Sequence, residues 1–278
     1  MQILWWVNLL EPSIMIGVFS ELEPIDAIRR LADIGWRNFE FYSEHLAILD
    51  KREDPEGEFS RIRDLCERMD LTIGAMHDTS FSVKPERVMR WAKILGVKWI
   101  VIHPIRADMT LNEDEARQCN LNMLREWIKL AHKFKIGIAI ENMHDRIPGV
   151  PGRRSFGSTP SDLLWLIRKV DSSFVGVCWD TCHAYVQGLD QYRAIKAIGE
   201  YLVHTHMNDN ISTEEEQHLT IFEGKVDWES ILRALKEIDY KGLFNIEGGF
   251  SISRLPLSLR DLKLRYLLRL VEEMISSL

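Results

Sequence analysis

The chain has 278 residues, 46% hydrophobic and 28% charged, with 35 Lys and Arg against 42 Asp and Glu for a formal charge of −7. That length suits one large α/β barrel or two smaller domains, and the apolar content supplies a sizeable core. The acid excess argues against a broad basic face for a phosphate backbone, no apolar run reaches the ~20 residues of a membrane span, and the four cysteines form no CxxC pair, which fits reduced thiols in a cytoplasmic protein.

The first ten residues, MQILWWVNLL, are apolar but lack the basic start of a signal peptide. Residues 1–13 are expected to form an N-terminal extension ahead of a domain spanning 14–278. Trp5 and Trp6 point to packing on the body or on a partner such as a second copy of the chain. The first strand is expected at Ile14–Phe19. A helix follows, entered at Pro24, striped by Ile25, Ile28, Leu31 and Ala32, and stopped at Gly35. The second strand is Asn38–Tyr42, and the segment after it, from Ser43 to Gly57, is mostly acidic. The third is Ile73–His77. Pro85 opens a helix striped by Val88, Trp91, Ala92 and Leu95 and closed at Gly96. The fourth strand is Trp99–His103. A helix with Leu124, Trp127, Ile128 and Ala131 on one face leads to the fifth, Gly137–Glu141. The run Ile147 to Ser158 suits either a mobile lid or a solvated surface loop. Thr159-Pro160-Ser161-Asp162 carries a hydroxyl N-cap, a proline and an acid, the signature of a helix start. The sixth strand is Val175–Asp180 and the seventh Leu202–His206. Asp227 caps a helix through Ser230, with Trp228, Ile231, Leu232 and Leu235 on its apolar face, and the eighth strand is Leu243–Glu247.

Most of these strands are continuous apolar runs, the pattern of a parallel sheet covered by helices. Eight strand–helix units in this length predict a single (β/α)8 TIM barrel with a short N-terminal extension. A doubly wound open sheet is the alternative, but no GxGxxG follows the first strand.

In such a barrel the C-terminal strand ends converge on one face. Here they carry His77, His103, Glu141 with Asn142, Asp180 with His183 in the following turn, His204-Thr205-His206, and Glu247; the loop after the seventh strand adds Glu216 and His218. A lone His or Glu at such a place is more often structural. Six of eight strands delivering a metal-competent group to one face is a different matter, because burying so many ionisable groups without a cation is costly. Alternation puts both imidazoles of His204-Thr205-His206 on one side, with His206 nearer the mouth and His204 a layer deeper.

These residues fall in a pattern of motifs: His77-Asp78, Val101-Ile102-His103-Pro104, Ile140-Glu141-Asn142, Asp180-Thr181-Cys182-His183-Ala184, His206-Met207-Asn208-Asp209, His218 through Glu223-Gly224-Lys225-Val226-Asp227-Trp228, and Asn245-Ile246-Glu247. From about Ile14 to the last helix the chain resembles the xylose isomerase-like TIM barrels, which include sugar isomerases, sugar epimerases and endonuclease IV. The resemblance to the epimerases implies one divalent ion (Mn, Zn or Mg) held by Glu141, Asp180, His206 and Glu247. It also implies a small sugar or sugar phosphate as substrate, touched by His183 and also by His77 and His103. Glu141 and Glu247 are then the catalytic acid and base, and the metal stabilises an enediolate. The resemblance to endonuclease IV implies a multinuclear site that adds His77, His103, His183, Glu216 and His218 as ligands, with phosphodiester hydrolysis at abasic sites as the reaction. Glu216 stands where the nuclease pattern has Asp, and Thr79-Ser80-Phe81 replaces its Tyr-Leu wedge. With the acidic loop after strand two, these departures favour the sugar and disfavour nucleic acid as partner. A lyase acting on a keto-inositol through the same intermediate is a third expectation, and a non-catalytic metal-binding scaffold is disfavoured by the number of converging ligands.

Overall fold

The computed structural model describes residues 10–79, 83–105, 112–145 and 156–276. Trp5, Trp6, Phe81 and most of the 147–158 run lie outside them. Eight strands form one parallel sheet: β1 (Glu11–Met15), β2 (Asn38–Phe41), β3 (Thr72–His77), β4 (Trp99–Ile102), β5 (Gly137–Glu141), β6 (Val175–Asp180), β7 (Leu202–His206) and β8 (Leu243–Ile246). Their spatial order, β7-β6-β5-β4-β3-β2-β1-β8, follows the chain around a barrel. The remaining seam is closed by Met207 N–H donating to Asn245 O at 2.7 Å, and by Thr205 Oγ1, which donates to Leu243 O at 2.9 Å and accepts from Asn245 N at 3.3 Å.

The helices α1 (Pro24–Ile34), α2 (Ser43–Asp50), α3 (Pro55–Met69), α4 (Pro85–Leu95), α5 (Glu113–Phe134), α6 (Pro160–Val170), α7 (Thr181–Val186), α8 (Gln191–Ile198), α9 (Trp228–Glu237), α10 (Gly249–Ser253) and α11 (Leu257–Ser276) intervene or follow. The expected stripes of α1, α4, α5 and α9 face inward, with Leu31, Trp91, Trp127 and Ile231 all buried. The predicted caps are in place: Thr159 Oγ1 accepts from Asp162 N and Asp227 Oδ1 from Ser230 N. Among the described residues no helix is long and apolar enough to cross a membrane.

The first strand departs from expectation. It runs Glu11–Met15 rather than Ile14–Phe19, and Ile16–Phe19 is a 3-10 turn. Pro12 lacks an N–H, yet β1 pairs on both sides, through Glu11 to Ile14 with β8 and through Ser13 to Met15 with β2. A parallel strand uses alternate residues for each neighbour, so one missing donor is tolerated. Residues 11–13 of the expected extension are therefore barrel strand. Tyr42, His103 and Glu247 fall one residue beyond their strands.

Two apolar regions result. A large one lies between the sheet and the helices; a small one inside the barrel comprises Ala75, Val101, Ala139 and Cys178, flanked by Trp99 and Val203. Each residue of that inner layer precedes a strand-end group by two: Ala75 precedes His77, Val101 precedes His103, Ala139 precedes Glu141 and Cys178 precedes Asp180. The pleat thus aims all four at the same mouth, stacked on a floor of small side chains.

Candidate metal centre

Glu141 is the hub of that mouth. Its Oε2 lies 3.1 Å from His77 Nε2 and 3.1 Å from His103 Nε2, and its Oε1 lies 3.2 Å from His206 Nδ1 and 3.3 Å from His183 Nδ1. Burial would push this carboxyl up; the imidazoles of His206 and His103 outweigh that and hold it well below the ordinary range. Glu247 stands across the mouth, with Oε1 3.9 Å from His77 Nδ1 and Oε2 4.0 Å from His206 Nδ1 and 3.6 Å from His218 Nδ1. Burial again opposes ionisation, and His218, His206 and His77 override it to lower the Glu247 carboxyl.

Asp180 ends β6 and begins α7. Its Oδ1 accepts from His183 N at 2.7 Å, which caps the helix and places His183 in the first helical turn rather than in a loop. Asn142 pins the Asp180 backbone from the neighbouring strand end, accepting from Asp180 N at 2.6 Å and donating to Asp180 O at 2.9 Å. The Asn142 carbonyl lies 2.8 Å from His183 Nδ1. A carbonyl only accepts, so that nitrogen carries a proton, and Nε2 faces the mouth, 3.5 Å from Glu216 Oε2.

Asn208 had no assigned role in the sequence. Its Nδ2 donates to both Asp180 Oδ2 and Glu247 Oε2 at 2.8 Å, and its Oδ1 accepts from Gly248 N at 2.9 Å. Asp209, fully buried beside it, is a loop clamp: it accepts from Asn210 N, Val226 N and Trp228 Nε1 at 2.8, 2.9 and 3.0 Å. The clamp presents His218, whose backbone is left-handed at φ 43°. A non-glycine residue there costs of order 1 kcal/mol or more, which the surrounding bonds must offset.

Nearer solvent, Glu216 Oε2 is 2.5 Å from His144 Nε2 and 3.5 Å from His183 Nε2. His144, three residues past Glu141, carried no expectation. His218 stands apart from Glu216 in this arrangement and turns to Glu247 and to Asp180, whose Oδ2 is 4.0 Å from His218 Nε2. The other residue missed in the sequence is Glu40, fully buried in β2 beneath His206. Its signal was a lone carboxylate inside the strand run Asn38-Phe39-Glu40-Phe41.

The donor set fits a divalent cation. His77 Nδ1, His206 Nδ1 and His218 Nε2 are buried with no hydrogen-bond partner. Glu141 and Glu247 both approach the orphaned His206 Nδ1, at 3.2 and 4.0 Å, and Asn208 ties Asp180 to Glu247, while His77, His103 and Glu141 form a group whose ligand atoms lie within 4.8 Å of one another. Carboxylates and imidazoles in that ratio suit Zn or Mn.

Residues 28–255 match the family described as xylose isomerase-like TIM barrel, and the chain belongs to that family. It is 32% identical over 153 residues to the uncharacterized protein MJ1311 of Methanocaldococcus jannaschii, 23% over 165 residues to the inosose isomerase of Bacillus subtilis, and 28% over 159 residues to the probable endonuclease 4 of Mycoplasmoides gallisepticum. These alignments cover 54%, 58% and 52% of this chain, and 50%, 57% and 50% of the relatives, so the chain spans about half the length of each. Among solved structures, D-psicose 3-epimerase of Clostridium cellulolyticum H10 with D-tagatose superposes with a TM-score of 0.78 at 16% identity, covering 96% of this chain and 99% of that one. The IOLI protein with a bound zinc atom gives the same four values. At such identity the likeness establishes the fold.

Proposed function

We propose that this member of the xylose isomerase-like barrels is a divalent-metal-dependent isomerase or epimerase of a small sugar. The observation that carries the reading is the pair Glu141 and Glu247, which approach one unpartnered nitrogen, His206 Nδ1, at 3.2 and 4.0 Å. Glu141, Asp180, His206 and Glu247 would hold the ion, which when bound supplies positive charge to the carbonyl and hydroxyl oxygens of the sugar.

The protein groups do the rest. Glu141 and Glu247 are both held in the ionised form. One takes the proton from the carbon beside the carbonyl and returns it at the neighbouring carbon, which balances with no further donor; return on the opposite face requires the other carboxylate to have first taken a proton from solvent. Asn208 fixes Glu247 and Asp180 relative to each other, so the base is already oriented. His183, with its Nε2 toward the mouth, would hydrogen-bond a sugar hydroxyl, and His77 and His103 line the same wall. Likeness to inosose isomerase and to the psicose epimerase fold supports a ketose or cyclic polyol ketone as substrate class. Loss of a β-hydroxyl after the same proton abstraction would give a dehydratase.

Endonuclease-like phosphodiester hydrolysis is the second reading. It is favoured by the His77, His103 and Glu141 group and by the 28% identity to an endonuclease 4. Metal content separates the readings. After reconstitution with Zn and Mn, elemental analysis of one ion per chain supports the isomerase, three ions support the nuclease, and none refutes both. With one ion bound, Glu247→Gln is expected to cut exchange of a ketose C–H with deuterated water by at least ~100-fold, a typical acid–base contribution. Exchange at the wild-type rate would remove Glu247 from the chemistry.

A further inference from the structure

Glu40 is a charged residue in an otherwise apolar strand, fully buried, and outside the set of groups expected to touch metal or substrate. Three donors converge on its carboxylate. His206 Nε2 lies 3.1 Å from both oxygens, His204 Nε2 lies 3.3 Å from Oε2, and Asn245 Nδ2 donates to the same Oε2. Asn245 is oriented in turn by Ser13 Oγ, which donates to Asn245 Oδ1 at 2.8 Å. Burial opposes the charge on Glu40, but His206 and His204 overcome it and hold the carboxyl far below its usual range.

Both nitrogens of His206 face carboxylates, but they differ in bonding. Nε2 is hydrogen-bonded to the buried Glu40. Nδ1 has no hydrogen-bond partner and faces Glu141 and Glu247. A ring that gives a lone pair to a cation at Nδ1 keeps its one proton on Nε2, where the Glu40 carboxylate accepts it. We infer that Glu40 is the positioning residue of the centre: its carboxylate fixes the tautomer and ring orientation of His206 so that Nδ1 is presented as a metal ligand, with His204 and Asn245 holding the carboxylate in place. This rests on the reading of His206 as a ligand. It also accounts for His204, which is excluded from the mouth yet sits two residues before His206 on the same face of β7. The buried negative charge would further raise the electron density on the His206 ring and add affinity for a cation.

The test is metal affinity, measured without substrate. Wild-type protein and Glu40→Gln are titrated with Zn2+ and with Mn2+ against a chelating dye, and each metal-free protein is melted. Gln keeps the volume and removes the charge. One Gln amide must place an N–H2 against one of two imidazoles, which drives the proton of that ring to its other nitrogen. The variant is expected to bind metal 10–100-fold more weakly, and its metal-free melting temperature is expected to fall, since His206 and His204 lose their buried anion. A purely structural Glu40 predicts the same fall in metal-free stability with affinity within twofold of wild type, and that outcome overturns the inference. The tautomer is checked in the Zn2+-loaded wild type, independently of how the variant folds, by 15N NMR of the histidine rings. A proton on Nε2 of His206 is expected, and a proton on Nδ1 refutes the assignment. If the wild type takes up no divalent ion, the functional reading fails along with the inference; if it does and Glu40→Gln matches it, only the role of Glu40 fails.

Discussion

Asn208 joins two carboxylates that would otherwise repel each other. Its one amide nitrogen serves Asp180 Oδ2 and Glu247 Oε2, while its carbonyl takes the Gly248 N–H that follows Glu247. Asn208→Ala deletes three hydrogen bonds in a buried setting. It should cost about 1–3 kcal/mol in the metal-free protein, from polar groups left unsatisfied, and less once a cation bridges the same carboxylates. Thermal melts with and without metal measure the difference, and equal losses in both states would show that Asn208 acts only on packing. At this scale the sequence was legible where a residue type is diagnostic at a strand end. Glu141 and Glu247 lie within 4.0 Å of His206 Nδ1, and Asn208 ties Asp180 to Glu247. Glu40, Asn208 and His144 were not legible as functional, because amides and carboxylates inside strands and loops read as ordinary hydrogen-bonding residues until their partners, up to 205 positions away for Glu40 and Asn245, are known.

At the level of elements, the strands do the aiming and the loop after β7 completes the mouth. The pleat explains why strand positions were readable: an inward residue is followed two places later by another, so Ala75, Val101, Ala139 and Cys178 announce His77, His103, Glu141 and Asp180. Segment 207–227 has no such period, and its geometry depends on Asp209. That carboxylate gathers the N–H groups of Asn210, Val226 and Trp228, and a single isolated bridge pairs Asp209 with Leu219. Gly224 is required by this closure, since a Cβ there would collide with Asp209 Oδ1 and the Asn210 carbonyl. Gly224→Ala should therefore displace the loop and, with it, His218, at a cost of about 1–3 kcal/mol. A crystal structure or the NMR shifts of His218 would reveal the movement, and an unshifted His218 would mean that the loop absorbs the methyl elsewhere. The start of β1 escaped the sequence for a different reason. Pro12 reads as a strand breaker, yet its neighbours supply the ladder bonds on both sides.

On the scale of the whole molecule, the barrel concentrates buried charge of both signs at one end, and the balance depends on pH. Glu141 and Glu247 are lowered in the fold, as is Glu40. Groups of that kind contribute stability above the unfolded carboxylate pKa of about 4.3, lost as pH falls through their folded values. The histidines run the other way. Burial would depress His218, but Glu247, Cys182 and Asp180 together outweigh burial and push it up to about 10. His183 and His206 are also raised, by Asp180 and Glu141 around the one and by Cys178, Glu40 and Glu141 around the other, each against the effect of burial. A raised histidine contributes stability that is complete below its unfolded pKa of about 6.5 and is lost as pH climbs toward the folded value. The metal-free protein should therefore melt highest between about pH 4.5 and 6.5 and lower at pH 9. A cation held by His206, as proposed, would invert the trend on the alkaline side. It would need that imidazole lone pair, so it would displace that proton and its apparent affinity would rise with pH. The stabilisation it brings, RT ln(1 + [L]/Kd), rises with it. Melting curves at pH 6, 7.5 and 9, each with a chelator and with excess Zn2+, should diverge as pH rises. Parallel curves would mean that His206 is neutral in the metal-free state and that the carboxylates, rather than a proton-for-metal exchange at His206, set the stability of this end of the barrel.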